Sequence, residues 1–156
     1  MSPIHHPLVL ASFVFLAGNT SHCNLSGPVN PPEAGFTHSV STFMCGPADG
    51  PATAILLARD LIDGLQPSNP YVSVVIQRPA SGLAGTTWLV GTNVGVVNAV
   101  YVAGSGQHEE AISGTVRIDR VVAQERVEGS VELRFPSRTV TEAFSAPWIE
   151  MFILCG

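Results

Sequence analysis

The sequence predicts a mostly β domain, an antiparallel β-sandwich or small barrel of about seven or eight strands with at most one short helix. Three observations predict it. Apolar and polar residues alternate through Ile112–Asp119 and again through Val127–Phe135, on either side of a turn at Ala123-Gln124-Glu125, a period that suits strands and not a helix. Shorter β-branched runs precede and follow it, and Gly (15) and Pro (12) supply the turns between them. Finally, 46% of the 156 residues are hydrophobic and 12% charged, so the chain can bury a core and is too apolar to be disordered.

The N-terminus reads as a targeting segment, residues 1–22. Leu8–Gly18 is an apolar run, too short to span a bilayer and of the length of a signal-peptide core. Asn19-Thr20-Ser21 follows it as a small, polar stretch suited to cleavage. Met1–Pro7 carries His5 and His6 but no Lys or Arg, and His22 stands where a lipobox has a small residue. Cys23 occupies the place of an acylated lipoprotein cysteine, which would attach the chain to a membrane. The alternative is an ordinary buried strand opening a cytosolic domain. Asn19 and Asn24 head N-x-S/T triplets, which matter only in a eukaryotic secretory pathway.

Residues 23–35 read as a flexible Pro- and Gly-rich linker, and 36–156 as the β domain. Phe36–Cys45 is a first strand. Ala52–Leu65 fits either a helical face or a strand through Ala58 followed by an irregular turn, and the second reading is preferred. Tyr71–Arg78 alternates and stops at Pro79. Thr86–Val90 and Val94–Val102 read as a hairpin turning at Gly91-Thr92-Asn93. The second run is apolar enough for a strand covered on both faces. In Ile112–Phe135, Gly114 and Gly129 mark bulges or close packing, and Arg117 and Arg134 interleave with Glu128 and Glu132 as cross-strand ion pairs. Thr139–Ala146 and Trp148–Leu154 complete the set.

The C-terminal part resembles small exported bacterial β-sandwich proteins, lipoproteins of unknown function among them. The residues that carry the likeness are Gly114-Thr115-Val116, Gly129-Ser130-Val131-Glu132-Leu133 and Ala143-Phe144-Ser145-Ala146-Pro147, within Pro70–Cys155. The chain departs from that pattern at Pro136-Ser137-Arg138, where a Gly-containing turn is expected. The resemblance implies an exported location and a sandwich fold, and brings no catalytic residues with it.

The chemistry-bearing residues are sparse. All seven basic residues are Arg, a composition first explained by a GC-rich genome. A net charge of −5 without clustered cations argues against phosphate-backbone binding, so no nucleic-acid partner is expected. Cys45 and Cys155 are candidates for a disulfide closing a loop of about 110 residues, which in the chain-entropy model stabilises by roughly 4 to 5 kcal/mol. Cys23 is then the odd cysteine, removed, lipidated or free.

His108-Glu109-Glu110 is the densest set of metal-ligand types, but it reads as a solvated loop. His38 with Cys45 lacks an orienting third group. Asp49, Asp60 and Asp63 lack calcium-loop spacing and suit turns. Gly104-Ser105-Gly106 opens no phosphate loop, and Ser81, Ser105 and Ser145 sit in no nucleophile elbow. No metal site and no cofactor is therefore expected. Tyr71, Trp88, Tyr101 and Trp148 are candidates for an aromatic binding surface for a carbohydrate or protein ligand, with core packing as the alternative. The expected function is that of an exported or envelope protein, a non-enzymatic binding or structural module. The alternative is a small secreted hydrolase or metal-dependent enzyme, which would need His38 or His108 to converge with carboxylates.

Overall fold

The alternating stretch Ile112–Phe135 folds as a hairpin of β7 (Ser113–Val122) and β8 (Arg126–Arg134). The computed structural model describes residues 35–151 apart from 47, 48, 61, 64, 92–95 and 105. Within that range the remaining strands are β1 (His38–Cys45), β2 (Pro51–Ala58), β3 (Tyr71–Ile76), β4 (Thr86–Val90), β5 (Val97–Val102), β6 (His108–Glu110) and β9 (Thr139–Ile149). A single 3₁₀ turn, Ala80–Gly82, is the one helical element among the described residues. The targeting segment, nearly all of the linker and the end of the predicted last strand lie outside the described residues.

The nine strands form one curled, mixed sheet in the order β4-β7-β8-β9-β1-β2-β3-β5-β6. Two arms meet at β9 and β1 and fold over a common core. Ile55, Leu57, Val72, Val74 and Ile76 come from one arm, and Val116, Ile118, Val131, Leu133 and Phe144 from the other. Fully burying each such side chain is worth about 1.5–3 kcal/mol. Alternation on β3, β7 and β8 follows directly, because one face of each meets this core.

β2 explains the ambiguous segment 52–65. It lies between β1 and β3, its inner face in the core and its outer face near a second cluster of Val40, Ala58 and Ile62. Burial on both sides erases alternation and leaves a continuous apolar run. The strand ends at Ala58, and the described residues between it and β3 form no further strand, only an isolated bridge of Asp63 with Gln66.

Four expectations are corrected. β4 and β5 form no hairpin: β4 pairs with β7, whereas β5 lies between β3 and β6. The connection instead crosses from one arm to the other, with Val90 and Val97 both in the core. The sheet is not wholly antiparallel, because β1 and β9 run parallel. Pro147 does not divide the last strand; β9 continues through it to Ile149 and pairs Pro147 with Arg126. The expected cross-strand ion pairs are displaced by register. Arg117 faces Ser130 and binds Asp119 of its own strand at 2.9 Å, while Arg126 pairs with Glu125 and Glu128.

Gly114 and Gly129 mark close approach. At Gly114 (φ +148) a Cβ would stand 2.2 Å from the Glu132 carbonyl oxygen, and at Gly129 it would stand 2.1 Å from that of Arg117. The irregularity in the ladder falls elsewhere, between Ile118 and Arg120.

The parallel seam is short. Ser41 stands opposite Trp148 and Thr42 opposite Ile149. Parallel ladders are slightly weaker per residue, and Pro147 has no N–H to contribute. Two buried hydroxyls reinforce the seam. Ser41 Oγ donates to the carbonyls of Ala146 (3.0 Å) and Pro147 (3.2 Å), and Thr42 Oγ1 donates to that of Ile149 (2.8 Å).

Candidate functional site

Away from the seam, a polar clasp joins the two arms. β6 pairs with β5 so that Glu109 lies opposite Tyr101. The turn between β8 and β9 reaches this pair from the other arm. Ser137 donates to the Glu109 carboxylate through its hydroxyl (2.6 Å) and its backbone N–H (3.0 Å). Arg138 donates from Nε to Ser137 Oγ at 3.0 Å, and its guanidinium lies 3.8 Å from the centre of the Tyr101 ring. Tyr101 in turn packs against Phe135, ring centres 5.9 Å apart.

The Ser137 hydroxyl is the main cause that holds the Glu109 carboxyl below its usual range. The Ser137 N–H and the Arg138 charge act in the same direction, and burial opposes them. A carboxylate so occupied ties β6 of one arm to the β8–β9 turn of the other. To act as a base or ligand it would first have to leave these donors.

A second polar contact secures the start of the domain. Glu142 occupies a core-side position of β9, in step with Val140, Phe144 and Ala146. Its Oε1 accepts the backbone N–H groups of Gly35 (2.9 Å) and Phe36 (3.3 Å). Phe36 is 3% exposed within the core, and the Arg59 guanidinium stands 6.0 Å from its ring centre. Beside it, between the approach to β1 and the middle of β9, runs a groove of about 470 Å³. Phe36, Val40, Ile62 and Phe144 form its apolar part, with Thr37, His38, Ser39 and Ser145 adding polar groups.

The four aromatic candidates do not share one surface. Tyr101 is in the core, Trp88 and Trp148 pack against that core, and Tyr71 packs against the second cluster. Trp88 Nε1 donates to Thr86 Oγ1 at 2.8 Å. Cys45 closes β1. Cys23 and Cys155 lie outside the described residues.

His38 and Cys45 stand at opposite ends of one strand. His108 is on β6, with β2, β3 and β5 between it and β1. His108-Glu109-Glu110 is thus an edge strand and not a loop. Asp49 lies in the β1–β2 turn, Asp60 accepts from Ser68 Oγ (3.2 Å), and the Asp63 carbonyl accepts from Gln66 N–H. Among the described residues no group of three or more His, Cys, Asp or Glu could hold a metal ion.

Sequence reasoning missed Glu142, Ser137 and Arg138. Glu142 had a legible signal, a carboxylate at a core-side position of an alternating strand. Ser137 and Arg138 had none beyond an unusual turn, since their partner Glu109 is 28 residues from Ser137. No family model matches the chain, and no curated protein or solved structure matches it.

Proposed function

We propose that this chain is an exported or cell-envelope β domain, a non-enzymatic binding or structural module carried on an N-terminal tether. The observation that carries this reading is the grip of Glu142 on Gly35 and Phe36. It fixes the point where the Pro- and Gly-rich lead meets the folded domain, as a module displayed from an anchor requires. Cys23 precedes Gly35 by 12 positions (35 less 23), so an extended lead from a lipid on Cys23 would reach about 40 Å.

Two further features support the reading. The main core is filled by aliphatic and aromatic side chains, and the Glu109 and Glu142 carboxylates are taken up in contacts between distant chain segments. We read the two arms, packed across one core, as the two layers of a sandwich. That agrees with the resemblance to exported bacterial β-sandwich proteins. The groove beside Phe36 is the binding surface in this proposal. Its apolar floor, hydroxyl groups and single imidazole suit a neutral carbohydrate or an extended protein segment.

The test is the intact mass of the protein recovered from the membrane and culture fluid of its native host. A chain shortened by the targeting segment supports export, and one beginning at a diacylglyceryl-modified Cys23 supports anchoring. A full-length chain retaining Met1 and confined to the soluble cell interior overturns the proposal.

A further inference from the structure

We propose that the outer edge of β4 is a self-association surface, pairing antiparallel with the same strand of a second copy about a two-fold axis centred on Trp88. The inference depends neither on export nor on the groove beside Phe36.

The two ends of the sheet are built differently. β4 and β6 are its edge strands, and among the described strands each has one neighbour, β7 and β5 respectively. An edge strand offers backbone N–H and C=O groups to any chain that can pair with them, and short length or charge is the usual protection. β6 has both. It is three residues long, His108-Glu109-Glu110, and two of the three are carboxylates. β4 has neither. Its five residues, Thr86-Thr87-Trp88-Leu89-Val90, include no charge and no proline. Leu89 is 49% exposed, and Ile112, whose carbonyl lies against Gly91 just past β4, is 54% exposed.

The hydrogen bonds at the start of β4 show which groups face outward. Gly85 N–H donates to the Ile118 carbonyl of β7 at 2.9 Å, whereas Thr86 N–H turns back to the Leu83 carbonyl at 3.1 Å. Alternation along the strand then directs the N–H and C=O of Trp88 and Val90 away from β7. Side chains alternate too: Thr86, Trp88 and Val90 lie on the core side, Thr87 and Leu89 on the outer side.

These positions make a second copy the fitting occupant. A two-fold axis at Trp88 sets each Trp88 N–H against the other's carbonyl, and each Val90 N–H against the partner's Thr86 carbonyl. The two indoles meet on the core side, each covering the exposed part of the other. Trp88 Nε1 already donates to Thr86 Oγ1 within its own chain, so this burial strands no polar group. On the outer side Thr87 stands opposite the partner's Leu89, and no charge of β4 meets its like. Pairing β4 with β6 of another copy would instead build an open-ended sheet, through a strand guarded by two carboxylates. The two-fold arrangement closes on itself. Five residues a side make a small interface, so the dimer is weak and its population rises with concentration.

Sedimentation of the full chain over a concentration series tests this, with two double variants beside the wild type. Thr87→Lys with Leu89→Lys sets like charges directly opposite across the axis, as does Thr87→Glu with Leu89→Glu. Wild type is expected to pass from monomer to dimer, and each double variant to raise the dissociation constant at least about tenfold. An equal mixture of the two variants brings opposite charges face to face and restores the dimer. A chain that stays monomeric at every concentration, or one that grows beyond a dimer, overturns the proposal. So does association that the double variants leave unchanged, or a mixture no more associated than its components. Amide exchange of the wild type gives a readout that needs no variant to fold: the Trp88 and Val90 amides should exchange more slowly as the dimer fills. Protection of Trp88 that is independent of concentration would mean that a segment of the same chain covers the edge, and refutes the assignment.

Discussion

Replacing Gly129 by Ala tests the register of the β7–β8 hairpin, on which one arm of the core depends. An added Cβ would stand 2.1 Å from the Arg117 carbonyl oxygen and 3.0 Å from Cζ of Phe144. The first obstacle is backbone, so it cannot rotate away. The strands would have to separate by about 1 Å, with Ile118, opposite Gly129, drawn from the core as they part. Overpacking of this kind costs about 1–3 kcal/mol. Each ladder hydrogen bond that is stretched or lost adds about 0.5–1.5 kcal/mol. The stiffer unfolded chain returns about 0.4–1 kcal/mol.

The net destabilisation expected for Gly129→Ala is therefore about 2 kcal/mol, within a range of about 0.5–4 kcal/mol, a large share of the roughly 5–15 kcal/mol typical of a domain. Equilibrium urea unfolding measures it as a lowered midpoint at unchanged slope. Gly82→Ala is the control. Nothing lies within 4 Å of its Cβ position, and the change should stay within about 0.5 kcal/mol of wild type. If Gly129→Ala is as mild as the control, Arg117 does not lie against Gly129 and the register is wrong.

Two other outcomes are expected. Ser41→Ala leaves the buried Ala146 carbonyl and the partly buried Pro147 carbonyl without their hydroxyl donor, a cost of about 1–3 kcal/mol by urea unfolding; a change below about 0.3 kcal/mol would show the seam does not depend on it. Glu109→Gln tests the clasp through pH. Glu109 ionises more readily folded than unfolded, so its contribution is present above the ordinary carboxylate pKa and fades as pH falls through the lowered folded value. Wild type should exceed the variant most near neutral pH and converge with it in acid, and a gap that is constant with pH would refute this.

Much of the fold is legible in particular residues. Ile112–Phe135 announces its strands because one face meets the core and the other water. Gly114 and Gly129 announce close approach because their positions admit no Cβ. Ala52–Leu65 is ambiguous for the opposite reason: β2 is covered on both faces, and a strand without a wet side loses its period. The candidate site is less legible. The Glu109 clasp and the Gly35 clamp each join groups far apart in the chain, Glu142 being 107 residues from Gly35. The four aromatics look alike in sequence, yet only the sheet separates Tyr71, in the second cluster, from Tyr101 in the main core.

The order of residues along the chain is enough to specify the β class, most strand positions and which residues of each strand face inward. Those properties depend on a local period of two and on the side chains that period exposes or buries. The choice of neighbours emerges only when the chain is folded: β4 beside β7 and not β5, β9 parallel to β1, and Ser137 on Glu109. Backbone N–H and C=O groups are alike in every strand, so pairing is chosen by how the arms close over a shared core.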